Sequence, residues 1–231
     1  DEMSLIEQRT TLVNQLQQAL HEYYPAALEA FDDWTSPSSW AFLERFPTPQ
    51  ALKKAGKRHW EKFLHTHRLY RPETYQKRLE IFVGATEFCG SHAVTNAKSM
   101  LAVSLAKQLR LLEQQLKAYR EHIDKLFQEH PDYTIFDSLP GIGEKLGPRL
   151  LSECGEDRDR FEDHEALQCY AGTAPVSFQS GQINRVRFRY ACNKNLRTAV
   201  HLWANLSRKK CAWAQVYYHQ KRLEGKSHAC A

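Results

Sequence analysis

The chain has 231 residues, 42% of them hydrophobic, and a formal net charge of +5. This length and hydrophobic fraction suit one large globular domain or two modest ones. No apolar run approaches the roughly 20 residues of a membrane-spanning helix, and the N-terminus lacks the basic and then apolar pattern of a secretory signal. We therefore expect a soluble protein of the cytoplasm.

The first part of the chain shows helical periodicity. Residues 3 to about 30 are predicted to form a helix, because four leucines recur on one face: Leu5, Leu12, Leu16 and Leu20. The stretch Ser36-Pro37-Ser38-Ser39 predicts a break. Thr48-Pro49 predicts a new helix, since Thr can cap it and Pro suits its first position. Short helices are expected over residues 50–90.

The strongest periodic pattern predicts a long helix from near Ser91 to Pro131. Its apolar residues recur as in a coiled coil: Leu101, Leu105, Leu109, Leu112, Leu116, Tyr119, Ile123 and Leu126. This helix is expected to pair with the first helix, with another copy of the chain, or with both. A change in composition near Asp132 predicts the main domain boundary.

The predicted fold is mainly α. A long antiparallel helical coiled coil over residues 1–131, with inserted short helices at about 35–90, precedes a compact and mostly helical domain over residues 132–231. That second domain is expected to contain a helix-hairpin-helix and a short β-hairpin or strand.

The segment Leu139–Gly147 resembles the hairpin of a helix-hairpin-helix motif. Gly141 and Gly143 would let the backbone turn tightly and approach a phosphate, while the amides of the following helix and Lys145 attract its charge. Such a hairpin grips a nucleic-acid backbone without regard to base sequence. A plain glycine-rich turn between two packed helices explains the same pattern.

A strand is predicted downstream, because residues 185–190 alternate between arginine and apolar residues. Val186, Phe188 and Tyr190 are expected to face a core. Arg185, Arg187 and Arg189 are expected to line the other face, where guanidinium groups can bind phosphate oxygens in pairs.

Ser180 precedes this strand and is followed by Gly181. A serine that attacks a phosphodiester needs an exposed hydroxyl on a permissive backbone, together with donors that offset the charge developing on the phosphoryl oxygens. Ser180, Gly181 and the arginine strand satisfy these needs. By spacing alone, a Ser-Gly pair is more typical of an ordinary loop.

The C-terminal segment is strongly basic. Residues 180–231 contain eleven Lys or Arg and the single acid Glu224, a balance of +10, whereas residues 1–179 have a balance of −5. This asymmetry favours binding to a phosphate backbone, with Lys194 and Arg197 among the candidate contacts, although a solvated basic surface is the alternative. Interleaved aromatic residues can stack on bases, but helical spacing favours a core position for Trp203 and Trp213.

The six cysteines form no Cys-x-x-Cys pair. We interpret them as free thiols and predict no metal site in the chain, since the short spacing from Cys89 to His92 lacks a second ligand pair.

Several motifs occur together in a distinctive order: the Pro-Gly-Ile-Gly hairpin, Tyr170–Pro175, Gln179-Ser180-Gly181, Cys192–Arg197 and Gly225–His228. Together they resemble the C-terminal transposase domain of insertion-sequence recombinases that combine a RuvC-like DEDD domain with a catalytic serine, a group that includes pilin-gene invertases. The long helices, with Phe46–Pro49 between them, are similar to the coiled-coil linker of that family.

The resemblance implies a bacterial, nucleoid-associated recombinase that cuts and rejoins DNA under the guidance of a structured bridge RNA. Ser180 would be its nucleophile and form a phosphoserine link to DNA. The resemblance implies Mg²⁺ on the acidic residues of the RuvC-like domain, and a homodimer or higher oligomer. That domain is missing from these 231 residues, so we expect a fragment that is inactive alone.

Three other functions are compatible with the sequence. The basic strand and hairpin could form a DNA- or RNA-binding module in which Ser180 does no chemistry and the coiled coil dimerises the chain. The coiled coil could instead be the working part of a scaffold. A tyrosine recombinase is the third alternative, because Tyr217 and Tyr218 lie among basic residues, but its Arg-His-Arg constellation cannot be traced.

Overall fold

The computed structural model describes residues 2–85, 92–228 and 230, and Cys89 and Ser91 lie outside the described residues. The chain divides into two compact units, residues 1–119 and 120–231. The helices are α1 (Glu2–Tyr23), α2 (Pro25–Ala30), α3 (Pro37–Arg45), α4 (Pro49–Thr66), α5 (Pro72–Gly84), α6 (His92–Gln128), α7 (Tyr133–Asp137), α8 (Leu146–Cys154), α9 (His164–Ala171), α10 (Lys194–Lys210) and α11 (Ala212–Leu223). The strands are β1 (Val176–Ser180) and β2 (Ile183–Arg187). The predicted mainly-α fold with a short β-hairpin is confirmed.

Proline begins four of the helices in the first unit: Pro25, Pro37, Pro49 and Pro72. Proline suits this position because the first helical amides have no intrahelical acceptor and its φ is already helical. The predicted helix start at Thr48-Pro49 is confirmed, and Thr48 Oγ1 accepts a hydrogen bond of 3.1 Å from the Ala51 amide. The predicted single helix over residues 3–30 is wrong. It is interrupted before Pro25, which cannot donate to the preceding turn.

Helices α1 and α6 run antiparallel. Arg9, in the first half of α1, pairs with Glu113 at 2.9 Å, and Glu22, at the end of α1, pairs with Lys98 at 2.5 Å. As α1 proceeds, its partners therefore lie earlier in α6. Between these ion pairs, buried residues of both helices belong to one core: Val13, Leu16, Leu20, Ala102, Leu105, Ala106 and Leu109. The predicted pairing of the long helix with the first helix is confirmed.

Two members of the predicted leucine seam are exposed, namely Leu101 and Leu126. Leu101 is roughly 80° from Leu109 on a helix that turns 100° per residue, whereas Ala102 is only about 20° away. Ala102 is therefore buried and Leu101 is not. The leucine spacing therefore predicted the correct helix, but it assigned Leu101 to the buried face in place of Ala102.

The core of the first unit is built from aromatic rings. Phe42 lies at its centre, with ring centroids 4.8 to 6.2 Å from those of its six aromatic neighbours: Tyr24, Phe31, Phe46, Trp60, Phe63 and Phe82. Burial and a hydrogen bond to Glu61 raise the pKa of Tyr75 to about 12.

The core of the second unit is smaller and lies between α8, α9 and α10. Its buried members are Leu146, Leu150, Ala171, Leu196 and Ala199. Half-buried residues, including Ile142 and Trp203, extend it. The β-hairpin contributes none of these core residues. Across the described part of the chain, no helix is both long and apolar enough to cross a membrane.

Candidate nucleic-acid interface

Ser180 lies at the tip of a tight β-hairpin. Strands β1 and β2 pair antiparallel, with Ser180 opposite Ile183, so that Gly181 and Gln182 form a two-residue turn. Gly181 has φ +57. A positive φ at the first turn residue is typical of a type II′ hairpin turn, where glycine is favoured because it has no Cβ. The predicted role of Gly181 as a permissive neighbour of Ser180 therefore has a conformational basis.

The strand register determines which side chains share a face of the hairpin. Residues directly opposite each other point to the same side, and the side alternates along each strand. The pairs Val176–Arg187, Phe178–Arg185 and Ser180–Ile183 therefore share one face. In agreement, the Arg187 guanidinium lies 5.3 Å from the centre of the Phe178 ring. Ser180 thus shares its face with two arginines.

The predicted apolar face of the arginine strand is wrong. Val186, Phe188 and Tyr190 are 66%, 51% and 80% exposed, so none of them faces a core. Strand β2 also ends at Arg187, before the last two of these residues. Alternation fixes the side to which each residue points, but a two-stranded sheet buries a side only where another layer covers it.

Arg189 and Arg197 are used inside the second unit. Arg189 Nε donates to the Ala174 carbonyl oxygen at 3.2 Å. Arg197 donates to the Arg189 carbonyl oxygen at 2.9 Å, contacts Cys192 Sγ, and lies 4.5 Å from the centre of the Phe188 ring. These contacts attach the end of the hairpin to α10, which indicates that Arg197 positions the hairpin.

Among the basic candidates of the hairpin and α10, Arg185, Arg187 and Lys194 are exposed. None of the three forms an ion pair within residues 2–85, 92–228 and 230. Their charges are therefore available to a polyanion, and Arg185 and Arg187 share a face with Ser180.

The predicted helix-hairpin-helix region connects α7 to α8. Gly141 has φ +80, and a Cβ added there would lie 2.8 Å from the backbone carbon of Leu206 in α10. The close approach that this glycine permits is thus an internal one. Gly143 and Lys145 are exposed, and the space around a Gly143 Cβ is open.

The first turn of α8 offers fewer free amides than the sequence suggests. The amides of Leu146 and Gly147 both donate to the Gly143 carbonyl oxygen, at 2.9 and 3.3 Å, and Pro148 has no N–H. Any contact to a phosphate from this hairpin therefore depends on the residues before α8, among which Gly143 and Lys145 remain candidates.

Asn193 is a residue whose connecting role the sequence analysis missed. Its Oδ1 caps α10 by accepting from the amides of Asn195 and Leu196, both at 3.0 Å. Its Nδ2 donates to Glu153 in α8 at 2.7 Å and to the Tyr170 hydroxyl of α9 at 3.1 Å. One side chain thus joins three helices. An asparagine directly before a helical segment was the available signal.

We expect Asn193→Ala to lower the stability of the second unit by about 1–3 kcal/mol, because the cap and the bonds to Glu153 and Tyr170 are removed together. Hydrogen exchange of the α10 amides measures this effect. Asn195→Ala is the matched control, since Asn195 is exposed and lies in the first turn of the same helix. An equal decrease in protection in both variants would contradict the role of Asn193.

The described cysteines are Cys154, Cys169, Cys192, Cys211 and Cys230, and all five are free thiols. Burial raises the pKa of Cys154, which disfavours its reactive thiolate at neutral pH. Among the described residues, no group of three or more His, Cys, Asp or Glu side chains is placed to hold a metal ion.

The sequence of this part of the chain is similar to the sequences of known proteins. Residues 133–219, which contain α8, the hairpin and α10, match a family of transposases described as IS116/IS110/IS902. The matched segment is therefore similar to a transposase-family domain. The family resemblance inferred from the Pro-Gly-Ile-Gly, Gln-Ser-Gly and Cys-Asn-Lys-Asn motifs is thus confirmed at this level.

The similarity to individual relatives extends through both units. A Streptomyces coelicolor protein named as the putative transposase of the mini-circle IS117 is 33% identical over 96% of this chain and 55% of its own length. The 42 kDa protein of IS900 in Mycobacterium paratuberculosis is 29% identical over 89% of this chain and 52% of its own length. The 44.8 kDa protein of IS116 in Streptomyces clavuligerus is 27% identical over 98% of this chain and 56% of its own length. The chain spans about half the length of these relatives.

Proposed function

We propose that this chain is the nucleic-acid-handling and serine-bearing part of an insertion-element transposase that cuts and rejoins DNA. The observation that supports this function best is the position of Ser180 at an exposed hairpin tip, on the same face as Arg185 and Arg187. This hairpin lies within the segment that matches the transposase family.

In the proposed reaction, Ser180 Oγ attacks the phosphorus of a DNA phosphodiester. An Oγ–P bond forms, the bond from phosphorus to one deoxyribose oxygen breaks, and the released oxygen takes up a proton. Arg185 and Arg187 offset the negative charge that develops on the phosphoryl oxygens. A DNA hydroxyl later attacks the phosphoserine, which rejoins the DNA and frees the serine.

The serine proton must pass to a base. No described side chain accepts a hydrogen bond from Ser180 Oγ. We therefore propose that the base comes from a partner in the assembled complex or from a bound nucleic acid. A base that approaches only in the assembled complex is consistent with catalytic hydrogen bonds that tighten on substrate binding.

The family resemblance also implies partners for this chain. We propose that a structured guide RNA selects the DNA, that Mg²⁺ is held by carboxylates of a RuvC-like domain, and that the first unit takes part in forming a homodimer or higher oligomer. Mg²⁺ would neutralise charge on the phosphodiester. This chain's own part is to present Ser180 and the two arginines.

A nucleic-acid-binding module without chemistry is the alternative function, and it is favoured by the fact that no described side chain serves as a base beside Ser180. Both functions require the exposed arginines. Only the transposase function requires a covalent link between protein and DNA, which remains detectable after denaturation. Detection of that adduct is therefore the experiment that tests the proposed reaction.

The arginine face has its own test. We expect the double substitution Arg185→Ala and Arg187→Ala to weaken binding to duplex DNA. The plot of log affinity against log salt should become shallower by about 1.8, because each phosphate that an arginine neutralises accounts for about 0.9 of its slope. Titrations at several salt concentrations measure both effects.

A matched change in charge serves as the control for the arginine pair. Arg58 and Lys77 are exposed in the first unit, and replacing both by Ala removes the same two charges. We expect this control to leave the salt dependence nearly unchanged. An equal change in both double variants would show that net charge, and not the hairpin face, determines binding.

A further inference from the structure

A column of three side chains runs along an exposed face of α11. Trp213, Tyr217 and Lys221 follow each other at intervals of four residues, which places them on one side of the helix. The Trp213 and Tyr217 rings are stacked, with centroids 5.6 Å apart and planes 17° apart. Lys221 Nζ lies 5.5 Å from the centre of the Tyr217 ring. We call these three residues the α11 column.

The aromatic part of the column is open to solvent. Trp213 is 73% exposed and Tyr217 is 46% exposed, which overturns the sequence-based assignment of Trp213 to a core. The other tryptophans are buried or half-buried: Trp34, Trp40, Trp60 and Trp203. Large exposed aromatic residues are typical of binding surfaces, because a ring left in water forgoes the burial that normally stabilises it.

The neighbouring Tyr218 is half-buried, in contrast to Trp213 and Tyr217. The Arg208 guanidinium lies 4.8 Å from the centre of the Tyr218 ring, and the Tyr218 hydroxyl is 2.8 Å from His228 Nδ1. Tyr218 therefore takes part in contacts within the second unit, whereas Trp213 and Tyr217 leave aromatic surface uncovered.

The charges around the column favour an anionic partner. The last turn of α10, directly before α11, contributes Arg208, Lys209 and Lys210, and the end of α11 and the residues after it contribute Lys221, Arg222 and Lys226. The one acid of this region, Glu224, is paired with Lys221 at 2.8 Å. Lys210 is three residues from Trp213, so their Cα atoms are at most about 11 Å apart.

We propose that the α11 column is a stacking platform for unpaired nucleobases, and that the phosphates flanking a stacked base contact the lysines before Trp213. Every base has an aromatic face, so such a platform accepts any base sequence. A duplex offers these faces only at its ends, because each base pair is stacked on its neighbours. The ligand is therefore a single-stranded segment of nucleic acid. The platform rests on the proposed nucleic-acid role of the chain but not on chemistry at Ser180.

Titration with a single-stranded oligothymidylate tests the platform, with tryptophan fluorescence as the readout. Stacking of a base on Trp213 should quench its emission, and Trp213→Phe should remove this signal while retaining most of the affinity. Trp213→Ala and Trp213→Leu should both weaken binding about 5- to 100-fold, because neither offers an aromatic face. Unchanged affinity in Trp213→Ala would overturn the proposal.

Two controls separate stacking from other effects. An abasic oligonucleotide of the same length keeps the phosphates but lacks the bases, so its affinity should be the same for the wild-type chain and Trp213→Ala. Weaker binding of this probe as well would assign the effect to charge or folding and overturn the platform. Val216→Ala removes another exposed apolar residue of α11 and should not alter either affinity.

Further variants and probes separate stacking from apolar contact, RNA from DNA, and base binding from chemistry at Ser180. If Trp213→Leu binds oligothymidylate as tightly as Trp213→Phe does, apolar contact replaces stacking and the platform is wrong. Oligouridylate, compared with oligothymidylate, shows whether RNA or DNA is the preferred source of the bases. Ser180→Ala should bind both probes like the wild type. If Ser180→Ala abolishes the adduct while Trp213→Ala binds normally, the platform alone is overturned.

Discussion

Ser180→Ala is expected to abolish the covalent protein–DNA adduct in a full-length transposase that contains this segment, while binding to the same DNA persists. Alanine has no oxygen with which to form the bond to phosphorus, and removal of a nucleophile typically reduces the rate at least about 1000-fold. The hairpin should keep its fold, since Ser180 is exposed and its side chain makes no hydrogen bond to a described residue. Denaturing electrophoresis of labelled DNA detects the adduct.

The same strand provides the control. Ser177 is also exposed, but it pairs with Val186 and therefore lies on the opposite face from Arg185 and Arg187. We expect Ser177→Ala to form the adduct at the wild-type rate. An adduct that persists in Ser180→Ala would remove this serine from the reaction and leave the hairpin a binding element.

Gly141→Ala is expected to destabilise the second unit by about 2–5 kcal/mol, through a left-handed backbone conformation and a steric clash. The added Cβ would lie 2.8 and 2.9 Å from the carbonyl carbon and oxygen of Leu206, and 3.0 Å from the Ser207 amide nitrogen. These are backbone atoms of α10, so they cannot move aside as the end of a flexible side chain can. Hydrogen exchange of the α8 and α10 amides measures the destabilisation.

Gly143→Ala distinguishes this packing role from a phosphate-binding role. Its Cβ would enter open space, and its φ is not in the left-handed region, so its effect on stability should be small. If Gly141→Ala instead folded as stably as the wild type and only bound DNA more weakly, the function of Gly141 would be ligand approach and not packing against α10.

The motifs that fix local backbone geometry were interpretable without tertiary information. Thr48-Pro49 begins a helix, Gly181 adopts the positive φ of a permissive backbone beside Ser180, and the steps of three and four residues identify α6. Each of these depends on neighbours along the chain, through a cap, a dihedral angle or a repeat. The Gln-Ser-Gly and Pro-Gly-Ile-Gly motifs also led to the transposase family, because their order along the chain is distinctive.

Burial could not be predicted in the same way. The alternation around Val186 predicted two faces correctly but assigned a core to one that nothing described within the second unit covers. Helical spacing likewise favoured a buried Trp213, which is exposed. A repeat describes how a segment orders its own side chains, whereas burial depends on what another segment places over them.

The sequence alone therefore determined the helical class, the permissive glycine beside Ser180, and the basic character of the chain after it, whereas the position of Ser180 at a hairpin tip came from the structure. Only the tertiary structure decided how the cations are used: Arg197 and Arg189 hold the hairpin to its surroundings, while Arg185 and Arg187 remain exposed on the face of Ser180. The tertiary structure also places Gly141 against the backbone of α10, a contact between residues that are far apart along the chain. The physical reason is that backbone preferences are local, whereas packing and the pairing of charges are set by residues far apart in sequence.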